Sequence, residues 1–125
     1  MQIDLNISTE QEKEAIDFYK EIRLCDTDVK AISKNTKLDE EKIKTIKEHI
    51  FKKFHLVKLG YKRFDPDYDM AVFWKRLIDG DVREKDLVFL ELMYDEYVNV
   101  YVNGMTIWQA HKTVSRKFDY RRLND

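Results

Sequence analysis

Apolar side chains recur at intervals of three and four along most of this chain, the period of an α-helix buried along one face. Ala15, Ile16, Phe18, Tyr19, Ile22 and Leu24 form the first such series. Ser8-Thr9-Glu10-Gln11 precedes it in the form of a capping box, in which a hydroxyl satisfies a free backbone N–H and Gln11 reaches back. A first helix is therefore predicted from there to Leu24. Asp26-Thr27-Asp28 breaks it and caps a short second helix, Val29 to Lys34. Asn35-Thr36-Lys37-Leu38 reads as a turn, and Asp39 caps a third helix with Ile43, Ile46, Ile50, Phe51 and Phe54 on one face.

Gly60 marks a stop or turn. Asp65-Pro66-Asp67 supplies an acidic cap and a proline at the first position of a fourth helix. That helix turns Met70, Phe73, Trp74 and Leu77 inward and ends at Gly80. The fifth and longest starts near Val82 to Asp86 and runs through Leu87, Leu90, Met93, Tyr97 and Tyr101 to Asn103-Gly104. Val98, Val100 and Val102 alternate as a short strand would, but no partner run accompanies them, so helix is retained. Thr106-Ile107-Trp108-Gln109 is a second capping box, opening a last helix that ends near Phe118. The prediction is one all-α domain, residues 1–125, of five to six helices. A helix-turn-helix-like unit at 28–50 forms its N-terminal half, packed against a long C-terminal helix.

Composition agrees with helices. Three Gly and one Pro leave little material for the turns of an all-β fold. The single cysteine, Cys25, has no disulfide partner within the chain and is read as a buried, inert thiol. Met-Gln-Ile-Asp-Leu-Asn lacks the basic start and apolar run of a secretion signal, and no window approaches the roughly 20 apolar residues of a membrane span. The expectation is a complete cytoplasmic chain with no membrane partner. Charge changes the picture more. The net value of −1 hides blocks of −5 over residues 1–28, +7 over 29–63, −6 over 64–101 and +3 over 102–125. Such blocks attract one another within a fold or present one basic face to a partner.

The basic block overlaps the helix-turn-helix-like unit, which points to a nucleic-acid surface made by Lys42, Lys44, Lys47, Lys52 and Lys53. Glu40 and Glu41 argue against it, since they occupy the first turn of the recognition helix and suit its dipole better than a phosphate. Residues 28–50 also lack arginine, the usual reader of guanine. His49 and His55 lie six apart, off one helical face, and His111 is distant. With no His-Glu-x-x-His and no paired cysteines, neither metal nor cofactor is predicted. Tertiary structure is left to gather the three histidines, or to bring His111 near Glu96 or Glu91. Asp65, Asp67 and Asp69 lack the glycine and bidentate glutamate of a calcium loop, and ion pairing with Arg63 and Arg76 is expected. Phe89, Tyr94, Tyr97 and Tyr101 form a stripe read first as core. Tyr94, Tyr97 and Tyr101 are also candidates for binding a partner, because their hydroxyls suit a half-wet boundary.

Several of these segments fall in a familiar order: Ile43-Lys44-Thr45-Ile46-Lys47-Glu48-His49-Ile50-Phe51 with His55-Leu56, then Arg63-Phe64-Asp65-Pro66-Asp67-Tyr68-Asp69-Met70-Ala71. Trp74-Lys75-Arg76-Leu77, Gly80, Asp86-Leu87, Ala110-His111 and Tyr120 follow. Residues from about 28 to 120 thus resemble a helical domain at the C-terminal ends of phage head-morphogenesis-type (minor head) proteins and of polymorphic toxins of Gram-positive bacteria. In that family the long fifth helix carries a His-Glu pair followed three residues later by Glu. The corresponding positions here are Leu92-Met93, with Glu96 keeping the last acid. Leu and Met can supply neither a metal ligand nor a general acid–base pair. The missing pair and the segregated charge together point to a non-enzymatic interaction module of a mobile element or prophage, binding a protein partner through a charge-segregated, tyrosine-rich helical surface, with room for homo-oligomers. A nucleic-acid-binding regulator is the alternative. A small hydrolase or toxin-type domain with a remnant site at His49, His55, Glu96 and His111 comes third.

Overall fold

A computed structural model describes residues 9–58 and 60–117 of the chain. Helix α1 (Thr9–Leu24) is followed by α2 (Asp28–Thr36) and α3 (Glu40–Lys47), and α3 runs directly into a π-helical turn, Glu48–Lys52. Strands β1 (His55–Val57) and β2 (Gly60–Lys62) form a small antiparallel hairpin, with His55 opposite Lys62 and Val57 opposite Gly60. Helices α4 (Tyr68–Asp79), α5 (Glu84–Tyr101) and α6 (Ile107–Lys117) complete the described chain. The fold is predominantly all-α, as the periodicity requires. No described helix is long and apolar enough to cross a membrane.

The N-terminal half is knit by local polar bonds at its turns. Lys37 closes α2 in the left-handed region (φ 64°), its N–H donating to the Ser33 carbonyl at 2.8 Å, while the Ser33 hydroxyl donates to the Leu38 carbonyl at 2.6 Å. Asp39 accepts from the Glu41 N–H, so α3 starts where the sequence places it. Asn35 reaches across to the end of α4 and donates to the carbonyls of Leu77 and Ile78 at 2.8 and 3.1 Å. These are among the carbonyls a helix end leaves without intrahelical partners. Ile22, Ile32, Ile43, Ile46, Trp74, Leu77 and Leu90 then meet in one buried cluster.

Several expectations are corrected. Asp28 is no surface cap, because it is buried and accepts from Lys47 Nζ (2.8 Å), Trp74 Nε1 (3.0 Å) and the Val29 N–H (2.8 Å). Asp67, not Asp65, caps α4 through the Met70 N–H, and Pro66 lies ahead of the helix. Asp65 pairs with Lys62, while Arg76 grips Asp86 with two bonds of 2.9 and 3.0 Å and ties α4 to the start of α5. Cys25 is half-exposed rather than buried. The expected third helix does not reach Phe54 as one α-helix, and Phe54 faces solvent. The helix retained through Val98 and Val100 is observed, with α5 ending at Tyr101, whereas the hairpin at 55–62 is not among the expected elements. The capping box at Thr106 and Gln109 is present in both directions, at 3.0 and 3.1 Å. Ser8, Phe118 and Tyr120 lie outside the described residues.

Candidate functional site

The π-helical turn closes on a bond from the Lys53 N–H to the Glu48 carbonyl, five residues back. Its wider circuit lets three consecutive side chains, His49, Ile50 and Phe51, all point inward. Phe51 packs edge-on to Tyr19 and Trp74 in the core, with ring centroids 4.8 and 5.2 Å away. His49 faces the other way, toward α5, and its Nε2 lies 2.8 Å from Glu96 Oε1. A carboxylate only accepts, so Nε2 is the donor, and the other ring nitrogen, Nδ1, is buried without a partner.

His55, at the start of β1, donates through Nε2 to the His49 carbonyl at 2.7 Å. Its Nδ1 therefore accepts, and the Tyr101 hydroxyl supplies the proton. Burial lowers the His55 pKa below the usual imidazole value, which favours the neutral ring whose tautomer these two bonds set. Burial likewise raises the Tyr101 phenol, so it remains a donor. Phe64 stacks on His55 (4.3 Å, 21°) and stands edge-on to His49 (5.4 Å, 83°), covering the pair.

Glu96 joins this cluster to α6. Its side chain is only 3% exposed, and Oε2 lies 3.4 Å from Nδ1 of His111, whose side chain is 69% exposed. That approach is an ion-pair distance without hydrogen-bond alignment, and Oε2 has no hydrogen-bond partner. The structure thus brings all three histidines and Glu96 together, with Glu96 as the hinge between a buried imidazole and an exposed one. Among the described residues, no group of three or more histidine, cysteine or acidic side chains is arranged to hold a metal ion.

Glu96 and His111 open onto a groove of about 1590 Å³ between the hairpin, the N-terminal end of α4, α5 and α6. Leu56, Tyr61, Met93 and Trp108 line it. Met93 and its neighbour Leu92 are both buried. That part of the floor is therefore apolar.

Against family models, curated proteins and solved structures, the chain finds no match.

The other predicted residues divide. Lys47 is corrected as a phosphate contact: it is buried, donating to Asp28 and to the Cys25 carbonyl at 2.8 and 2.7 Å. Lys42 pairs with Glu91 at 2.6 Å and sits over the Tyr94 ring. Lys44, Lys52 and Lys53 are exposed, so the five lysines do not form one open face. Tyr94 is held beneath Lys42, and Tyr97 lies beside His49 with ring centroids 6.0 Å apart. Of the three tyrosines, Tyr101 is the one that lines the groove. No periodicity marks Leu56 or Tyr61 as site residues, because strands of three residues carry too few positions to alternate visibly, and Phe64 lies beyond β2, outside any periodic element.

Proposed function

We propose that this chain is a non-enzymatic protein-binding module, and that it holds an apolar segment of a protein partner in the groove between the hairpin and α6. One observation carries the reading. Of the large apolar side chains left exposed, Phe54, Leu56, Tyr61, Tyr101 and Trp108 all border this groove, with Tyr61 72% and Trp108 68% exposed. Apolar exposure collected in one place marks interaction surfaces, and aromatic anchors supply most of the binding energy there. The polar cluster supports binding over turnover. His49 is fully buried and both His55 nitrogens are bonded within the chain, so neither is free to move a substrate proton. The resemblance of residues 28–120 to phage head-morphogenesis-type domains is the reason for placing the module in a mobile element.

The test replaces Trp108 or Tyr61 with a photo-crosslinking phenylalanine analogue, and Ile16 on α1 as a control. A partner captured from the groove positions and not from Ile16 fits the reading. Trp108→Ala should then weaken that complex about 30-fold, the effect of losing a roughly 2 kcal/mol anchor. Equal capture at Ile16, or turnover of peptide or nucleic acid that disappears in His111→Ala, overturns it.

A further inference from the structure

The groove's one deeply buried charge is also its least satisfied polar group. Glu96 borders the groove; its Oε1 is committed to His49, while Oε2 has no exposed surface, accepts no hydrogen bond and lies 3.4 Å from His111 Nδ1. A carboxylate oxygen in that position is stabilised by a cation that arrives with its own donors. The surrounding charge agrees in sign. Asp65, Asp67 and Asp69 line the same groove, against Lys53 and Lys58.

We propose that Glu96 Oε2 forms a subsite for a lysine ammonium within the bound partner segment, with His111 as its movable neighbour. This inference rests on the groove being a binding surface. Lysine is favoured over arginine for a geometric reason. A guanidinium takes a carboxylate best through both oxygens at once, and His49 already holds one of them. An ammonium is a compact point charge that needs a single oxygen. Its four-carbon stem can lie along Met93 and Trp108 while the head group reaches the acid. His111 is largely exposed and can turn away, because its 3.4 Å contact is not an aligned hydrogen bond.

The experiment titrates the full chain by NMR with three probes of equal stem: n-butylammonium, n-butylguanidinium and 1-butanol. Backbone amides of Leu56, Glu96 and Trp108 and the His111 imidazole are followed. The expected result is binding of butylammonium at least tenfold tighter than butanol, with butylguanidinium between them and the largest shifts at Glu96 and His111. Equal affinity for butylammonium and butanol overturns the subsite. Tighter binding of butylguanidinium overturns the choice of lysine. In Glu96→Gln the preference for ammonium should vanish while butanol still shifts Leu56 and Trp108. The three-probe comparison on the unsubstituted chain decides the matter even if that variant does not fold. Failure of all three probes to shift Leu56 and Trp108 would count against the groove itself, a different outcome from losing only the charge preference.

Discussion

His55 shows how one titratable side chain can be committed to structure on every polar atom. Its Nε2 donates to the His49 carbonyl and its Nδ1 accepts from Tyr101, which requires the neutral ring. Burial lowers its folded-state pKa below the unfolded value, against a smaller opposing effect of that carbonyl. The sign follows from linkage. Above the usual imidazole pKa of about 6.5 both states are neutral and the full stability is present. As pH falls through 6.5 the unfolded chain takes up a proton first, so stability declines until the folded pKa is passed. Thermal unfolding between about pH 8 and pH 5 should show this decline. Replacing His55 with Gln should flatten its part of the slope while lowering stability at pH 8, and an unaltered slope would assign the effect elsewhere. Glu96 makes the opposite use of a buried group, leaving one oxygen without a hydrogen bond where His55 leaves nothing.

Among the elements, α4 depends on bonds from outside itself. Asp67 satisfies its first turn and Asn35, from α2, satisfies carbonyls at its end. Asn35→Ala should therefore cost about 1–2 kcal/mol in denaturant unfolding, with little change in the slope against denaturant. A loss below a few tenths would mean that water replaces the amide without penalty. These elements also show where sequence is legible. The Thr106–Gln109 box and the Asp39 cap could be read directly because donor and acceptor lie within three residues. Asp65 and Asp67 are two acids at adjacent capping positions, and only the path of the chain around Pro66 decides between them. The hairpin was hidden because each strand has three residues, too few for a period. For the site, the residue types stood out but their meeting did not. His49, His55, Glu96 and His111 are brought together by the π-helical turn and by the docking of α6 on α5, and neither leaves a local signature.

Across the whole molecule, the alternating charge blocks are partly spent on one another. Lys47 from the basic block is sunk against Asp28 from the first acidic block, and Lys42 meets Glu91 from the second. Of the five lysines read as phosphate contacts, Lys44, Lys52 and Lys53 are left exposed. If those three contact phosphates, the logarithmic salt slope for a random duplex should not exceed about −3, at roughly 0.9 per contact. Lys42→Ala should leave that slope unchanged, measured by fluorescence anisotropy between about 50 and 200 mM salt. A fall of about one unit would place Lys42 on a phosphate.

The π-helical turn carries this to the level of the gene. A turn of this kind is equivalent to one extra codon in a stretch that otherwise encodes α-helix from Glu40 onward. Deleting that codon would let the stretch close into regular α-helix, whose tighter period does not turn three consecutive side chains inward. His49 and Phe51 could then not both keep their partners, Glu96 for the first and Tyr19 with Trp74 for the second. The join between core and groove thus depends on the length of this stretch as well as on its residue types.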